Sequence, residues 1–274
     1  MTFDRKKYKS FALMQLKGRW KTAFIATLIS IILLTFFSVT QKQNQTLSYS
    51  QIKNLTEQQL LEYISSNPQY SGPGLILLVI STIVNFIVEM VLVSLFLIYS
   101  RSPEPVTLKN YFECYNKWAR GILTGLWKTL WLFLWGLISI PVILLFSFLL
   151  ALFASNLTIE LTQIILPILL LIALIPMFIK SIEYSFVFFF TAEFSEIGIR
   201  KALRMSILLA KGHRWDIFVL ELSFIGWFLI CMMSLGIGFL WLLPYYYMTM
   251  TNAYHALLQD ALETGKIKPE DLNS

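Results

Sequence analysis

The chain has 274 residues, of which 57% are hydrophobic and 14% are charged. A soluble domain of this size carries roughly 25% charged residues, so the composition excludes a single water-soluble core and indicates a protein immersed in lipid. The formal net charge is +6. In a membrane protein such an excess reflects basic residues gathered on one face, and we therefore expect no nucleic-acid partner.

Six apolar segments reach or approach the length of about 20 residues that a membrane-spanning helix needs. We predict an all-α, polytopic transmembrane bundle that forms one membrane domain over residues 1–274. The predicted spans are approximately 22–40, 74–99, 128–154, 164–190, 216–235 and 237–257. An alternative with five spans joins 216 to about 243 in one helix. We favour six, because that helix would overshoot the bilayer and Pro244 falls within its end.

The basic residues predict how the spans are oriented. Lysines and arginines gather in three stretches, at residues 5–21, 100–128 and 192–215. The polar loop 41–73, which lies between the first two spans, carries only Lys42 and Lys53. Because basic loops stay on the inner side of a membrane, we predict a plasma-membrane protein with both termini in the cytoplasm and the loop 41–73 outside.

Amphipathic helices are predicted on the cytoplasmic side at approximately 3–17, 106–120 and 195–211. In the first, Tyr8, Phe11, Ala12 and Leu16 share one apolar face at helical spacing. In the third, Ser195 is the expected N-cap. Helices of this kind attract anionic lipid headgroups, or a membrane protein partner, although anchoring of the spans is a simpler reason for them. The candidate lipid- or partner-binding residues are Arg200, Lys201, Arg204, Lys211 and Arg214.

Ionisable residues inside spans are costly in lipid and usually have a reason. Lys180 and Glu183 are three residues apart on the fourth span, so they share a helix face and are expected to pair. We predict one polar cluster that joins four spans, either as a cavity for a substrate, proton or headgroup, or as a packing network. Its candidate members are Glu89, Lys180, Glu183, Glu221, Asn85, Asn252 and His255.

Motifs that would indicate catalysis are missing from the sequence. The chain has two histidines, His213 and His255, and two distant cysteines, Cys114 and Cys231. It contains no HExxH, GxSxG or Walker pattern and no metal-ligand spacing. We therefore predict a non-enzymatic protein with no catalytic residues, no metal site and no cofactor.

A short pattern recurs where cytoplasmic segments enter a span. Leu16–Phe24 and Leu123–Trp131 both read L-x-G-x-W-K-T-x-aromatic, and Lys211–Phe218 is a looser copy. These copies predict three units, each with an interfacial helix followed by two spans. The alternative is that Gly, Trp and Lys simply favour the membrane interface. The aromatic run Phe186–Phe190 is expected to face lipid or a second protomer.

Several segments resemble one bacterial family. They are Leu16-Lys17-Gly18-Arg19-Trp20, Lys180-Ser181-Ile182-Glu183-Tyr184-Ser185, Arg200-Lys201-Ala202-Leu203-Arg204-Met205-Ser206, Lys211-Gly212-His213-Arg214-Trp215, Leu222-Ser223-Phe224-Ile225-Gly226-Trp227, Gly236-Ile237-Gly238 and Trp241-Leu242-Leu243-Pro244-Tyr245. In this order they resemble the integral membrane domain-of-unknown-function family 975, found mainly in Gram-positive bacteria. That resemblance implies a six-span plasma-membrane protein and no established activity. Pro176 is followed here by Met177, where family members usually have glycine.

Two functions remain as hypotheses from the sequence. The first is a non-enzymatic membrane protein that acts by lipid or protein interaction at the cytoplasmic face, because the basic patterns concentrate there. The second is a small transporter or permease that uses the intramembrane charges.

Overall fold

The computed structural model describes residues 3–39, 56–59, 62, 72–102, 106–152 and 159–272. The helices are α1 (Arg5–Leu16), α2 (Trp20–Val39), α3 (Gly72–Arg101), α4 (Leu108–Glu113), α5 (Trp118–Leu152), α6 (Ile159–Glu183), α7 (Val187–Glu193), α8 (Ile199–Ala210), α9 (Arg214–Leu222), α10 (Ile225–Met233) and α11 (Phe239–Glu263). Short 3-10 turns lie at Cys114–Lys117 and Pro269–Leu272. These described segments contain no strand, which confirms the predicted all-α fold class.

Five stretches of the described residues are long and apolar enough to cross a membrane. They are Trp20–Phe37, Ile76–Arg101, Leu108–Leu145, Leu171–Glu193 and Arg214–Met233. The chain is therefore a helical membrane protein. Helix α11 is not among these five, because its apolar residues are interrupted by tyrosines, threonines, Asn252 and His255.

The predicted element boundaries need three corrections. The predicted gap between the helix at 106–120 and the span from 128 is wrong, because α5 runs without interruption from Trp118 through Gly121 and Gly125. The predicted span 164–190 is two helices, since α6 ends at Glu183 and α7 begins at Val187. The predicted span 216–235 is also two helices, since α9 ends at Leu222 and α10 begins at Ile225. The alternative that we did not favour, one helix from 216 to about 243, is absent, because the chain turns at residues 234–238, where Leu235 and Gly236 have φ of 54° and 86°.

Two of the three pattern copies form the same turn between helices. Gly18 and Gly212 have φ of 78° and 94°, a left-handed conformation that glycine adopts without strain. The residue before each glycine, Lys17 or Lys211, donates its backbone N–H to carbonyls of the preceding helix. Gly125 instead lies inside α5, where a Cβ atom would overlap the ring of Phe86. The middle copy therefore serves close packing of α3 against α5, and the other two serve a turn.

The buried core gathers where the second half of α3 meets α7, α8 and α11. Phe186, Phe188, Phe189 and Phe190 are buried, and the Phe189 and Phe190 rings lie 5.2 and 5.3 Å from the ring of Tyr254 on α11. The prediction that this aromatic run faces lipid or a second protomer is therefore wrong. Aromatic side chains with mutual edge and tilted contacts favour a packed core over lipid.

Helix α1 packs along α11, and its cap and buried face are well defined. The Asp4 side chain accepts hydrogen bonds from the backbone N–H groups of the first turn, and Tyr8, Ala12 and Leu16 are buried. Phe11 is 47% exposed, so only part of the predicted apolar face is buried against the bundle. At 3.6 residues per turn, Phe11 lies to one side of the narrow stripe that Tyr8, Ala12 and Leu16 form.

Candidate functional site

The predicted polar cluster is divided into two separate groups. We call the first the Glu183 cluster; it consists of Lys180, Glu183 and Arg214. Lys180 Nζ lies 2.7 Å from Glu183 Oε2, as their spacing on one helix face predicts, and the Arg214 guanidinium pairs with Glu183 Oε1. The Glu183 side chain is fully buried. Both oxygens of this carboxylate therefore face a cation, which is the condition under which a buried charge is tolerated.

The second group lines a cavity of about 410 Å³ between α3, α5, α6, α9 and α11, which we call the polar cavity. Lys128 Nζ lies 3.5 Å from Glu89 Oε1, and both side chains remain partly exposed. Glu221 lines the same cavity, together with hydroxyl groups from α6, from the turn after α6 and from α11. Those hydroxyl groups belong to Ser181, Ser185, Tyr246 and Tyr247.

Three candidates of the predicted cluster are bonded elsewhere, which corrects their assignment. Asn85 Nδ2 donates to the Ser81 carbonyl of its own helix. Asn252 Nδ2 donates to Gln15 Oε1 at 2.9 Å and so joins α11 to α1. A hydrogen bond of 2.9 Å connects His255 Nε2 with the Ser100 hydroxyl on α3. Asn252 and His255 therefore join helices, Asn85 bonds only within its own helix, and none of the three belongs to the Glu183 cluster or lines the polar cavity.

Helix α8 carries most of the basic candidates and is fixed firmly to the bundle. Its apolar face is buried, and the Ser206 hydroxyl donates to the Glu183 carbonyl at 2.6 Å. The buried residues of this helix are Ala202, Leu203, Met205, Ser206, Leu209 and Ala210. The predicted N-cap, Ser195, is wrong: the helix begins at Ile199 with Gly198 as its N-cap and no side-chain cap bond.

The five basic candidates have different surroundings. Arg200 lies over the ring of Trp127, and Lys201 forms a pair of 3.6 Å with Asp271. Arg204 and Lys211 are exposed. Arg214 pairs with buried Glu183, so its prediction as a headgroup ligand is corrected to a role inside the Glu183 cluster.

A second surface cavity, of about 580 Å³, lies between α5, α6 and α8 and is called here the tryptophan groove. Its lining residues are Trp127, Trp131, Trp135, Lys180, Tyr184, Arg200, Leu203, Arg204 and Ile207. The three tryptophans are four residues apart, so they form one stripe that runs about 12 Å along α5. Arg200 lies 5.1 Å from the centre of the Trp127 ring, and Lys180 lies 4.7 Å from that of Trp135.

Sequence reasoning missed the tryptophan stripe and Lys128. The signal for the stripe was present, because tryptophans at i, i+4 and i+8 share one helix face. Lys128 was counted with the cytoplasmic loop, because the helix was expected to begin there. Its ion pair joins α5 to α3, a contact between residues far apart in the chain that helical spacing does not predict.

Outside the spans, burial shifts the pKa values of two side chains of α1. Burial raises the pKa of the Tyr8 phenol. Burial also lowers the pKa of the Lys9 ammonium, which lies 4.2 Å from the centre of the Phe224 ring and donates to the Ser223 carbonyl. Lys9 therefore connects α1 to the junction of α9 and α10.

The described residues contain no group of three or more histidine, cysteine, aspartate or glutamate side chains arranged to hold a metal ion. The chemistry that the site offers is recognition of charge: cations beside an aromatic stripe in the groove, and a mixed set of charges in the polar cavity.

Comparison with known proteins identifies the family but adds no activity. No curated protein and no solved structure matches the chain. A family model described as "Protein of unknown function (DUF975)" matches residues 1–261. That match covers nearly the whole chain and agrees with the resemblance of its separate segments. The chain therefore belongs to the DUF975 family of proteins of unknown function.

Proposed function

We propose that this protein is a non-enzymatic plasma-membrane protein that acts by binding anionic lipid at its cytoplasmic face. In this proposal α11, with 25 residues, crosses the membrane as a sixth span, so that both termini lie in the cytoplasm. The observation that carries the proposal is the fixed orientation of α8. Its apolar face is buried by contacts within the bundle, while Arg200 and Arg204 on its other face are exposed. The helix therefore presents a basic face to the headgroups and has little exposed apolar surface to insert into lipid.

This arrangement predicts electrostatic attraction to headgroups. A free amphipathic helix binds a membrane mainly by burying its apolar face, and lipid charge adds to that binding. For a helix already docked on protein, the charge term dominates, at about 1 kcal/mol for each Lys or Arg near an anionic surface. Binding should consequently weaken as salt rises.

The test is to purify the protein from nanodiscs that contain phosphatidylglycerol and phosphatidylcholine in equal amounts and to identify retained lipids by native mass spectrometry. We expect phosphatidylglycerol to be enriched, and the enrichment to fall when salt is raised from 0.05 to 0.5 M, concentrations that span the change from long to short Debye length. Equal retention of the two lipids would contradict lipid recognition. A co-purifying protein without lipid enrichment would favour a protein partner instead.

A second candidate function rests on the polar cavity. Glu89, Lys128 and Glu221 meet there in a space large enough for a small solute, and intramembrane charges of this kind mark transport pathways in other proteins. We test this candidate by flux of small cations and amines in proteoliposomes. Loss of flux in Glu221→Gln, with Glu183→Gln carrying normal flux per folded molecule, would support a transporter. Absence of flux in the unmodified protein would exclude the solutes tested.

A further inference from the structure

We propose that the tryptophan groove is a binding site for one anionic phospholipid, whose phosphate is held by Arg200 and Arg204 and whose acyl chain lies along the tryptophan stripe. This inference rests on the proposed function. It assigns the lipid binding of that function to a single site with named residues, in place of the whole basic surface.

Charge complementarity is the first argument. The lining of the groove includes three cationic side chains and no carboxylate. Glu183 lies next to it, but Lys180 and Arg214 already share the two oxygens of that buried carboxylate. The cations thus outnumber the one acidic group nearby, and an anion entering the groove meets no opposing charge from the lining. Arginine matches phosphate oxygens with paired N–H groups, which favours a phosphate over a simple halide.

The aromatic wall is the second argument, and it selects a lipid over a soluble phosphate. Trp127, Trp131 and Trp135 give one side of the groove a continuous apolar surface. The same helix continues this surface with exposed Leu134 and Ile138, which lie in an apolar span. A water-soluble phosphate would leave this wall uncovered. Tryptophan prefers the level of the headgroups, where one part of its ring system meets hydrocarbon and the N–H meets polar atoms.

The positions of the cations are the third argument. Arg200 lies at one end of the stripe, over Trp127, and Lys180 lies at the other end, over Trp135. The ring contact leaves N–H donors of Arg200 for a phosphate, and Arg204 lines the same groove from the next turn of α8. Lys180, at the other end, is already paired with Glu183. The groove therefore offers arginine donors to a phosphate and an apolar wall to an acyl chain, and a phospholipid has both kinds of group.

The experiment compares two double variants that remove the same charge from α8 and its C-cap residue. Arg200→Gln with Arg204→Gln removes two groove cations, and Lys201→Gln with Lys211→Gln removes two cations that do not line the groove. Retention of phosphatidylglycerol relative to phosphatidylcholine is measured by native mass spectrometry. We expect the groove variant to lose about 25-fold in relative affinity, at about fivefold per charge, and the control to stay within about twofold. Both arginines are exposed, so the groove variant should fold.

A second variant tests the aromatic wall without any change of charge. Trp131→Ala should weaken phosphatidylglycerol retention by about five- to tenfold, because the acyl chain loses contact with the central ring of the stripe. In detergent without lipid, inorganic phosphate at millimolar concentration should leave the thermal unfolding temperature unchanged. A phosphate-dependent rise would identify a soluble anion as the ligand and overturn the lipid assignment.

The outcomes separate the groove from the wider function. If the unmodified protein enriches anionic lipid and the two double variants lose that enrichment equally, the groove proposal fails and the proposed function stands. If the unmodified protein shows no enrichment, both fail together. Selective loss in the groove variant and in Trp131→Ala supports the site.

Discussion

Glu183 and Glu89 are both carboxylates on apolar helices with a lysine partner, yet their surroundings differ. Glu183 is fully buried and has a cation at each oxygen, from Lys180 and Arg214. About a third of the Glu89 side chain is exposed, and its cationic partner is Lys128, 3.5 Å away. Both residues line the polar cavity, as Glu221 does. The first arrangement joins α6 to α9, whereas the second leaves charged groups facing the polar cavity.

The difference shows that the presence of charged residues in a span does not by itself indicate a functional site. A buried carboxylate with two close cations has satisfied its charge and has little left for a ligand. The charged groups of the Glu89–Lys128 pair, 3.5 Å apart beside the polar cavity, remain accessible to water or a solute. The Glu183 cluster also determines where Lys180 lies, so a structural cluster positions one cation of the tryptophan groove.

Removal of the Glu183 charge should have the largest effect. Glu183→Gln leaves Lys180 and Arg214 without their shared carboxylate, and we expect a loss of about 2–3 kcal/mol in the free energy of unfolding. The value falls at the low end for a buried pair because both cations are partly exposed and can reach water. Chemical unfolding in detergent, followed by tryptophan fluorescence, measures it. A loss no larger than that for Glu89→Gln would mean that the two clusters are equivalent.

Close packing beneath the polar cavity should have the next largest effect. Gly125 and Phe86 lie one helical turn before Lys128 and Glu89, and a Cβ on Gly125 would overlap the Phe86 ring. We expect Gly125→Ala to cost about 1–3 kcal/mol through overpacking between α3 and α5.

Gly136→Ala is the matched control for that substitution on the same helix. Its new Cβ would lie 3.6 Å from Met177 Sδ, an ordinary contact. We expect it to leave stability unchanged or slightly raised, since alanine favours helix over glycine. Equal destabilisation by both substitutions would show that α5 tolerates no added methyl group and that the Phe86 contact is not special.

The smallest effect should come from Glu89 itself. Because the Glu89–Lys128 pair is partly exposed, Glu89→Gln should change the free energy of unfolding by less than about 1 kcal/mol. Chemical unfolding in low and in high salt measures this change in the free energy of unfolding. A larger loss, independent of salt, would place the pair in a dry core and remove the contrast with Glu183.

The fold class followed from the sequence because apolar length alone decides whether a helix suits lipid. Lys180 and Glu183 were paired correctly for a similar reason, since spacing on one helix is local information. The partners Arg214 and Lys128 were missed, because each ion pair joins helices distant in the chain. Their positions depend on how the helices pack.

The errors in helix boundaries have a physical cause as well. The predicted helix at 106–120 and the predicted span from 128 left Gly125 between two elements, as Gly18 and Gly212 are in the structure. In α5 the glycine keeps helical geometry because it lets α3 approach closely. Sequence alone does not distinguish a glycine that turns the chain from one that makes room for a neighbour.

The measurement that tests the account most directly is an experimental structure in nanodiscs that contain phosphatidylglycerol. The account predicts a phospholipid in the tryptophan groove, with its phosphate within hydrogen-bond distance of Arg200 and Arg204 and a chain along Trp131. A groove that is empty, or filled equally well in nanodiscs of phosphatidylcholine alone, would contradict anionic lipid recognition at this site.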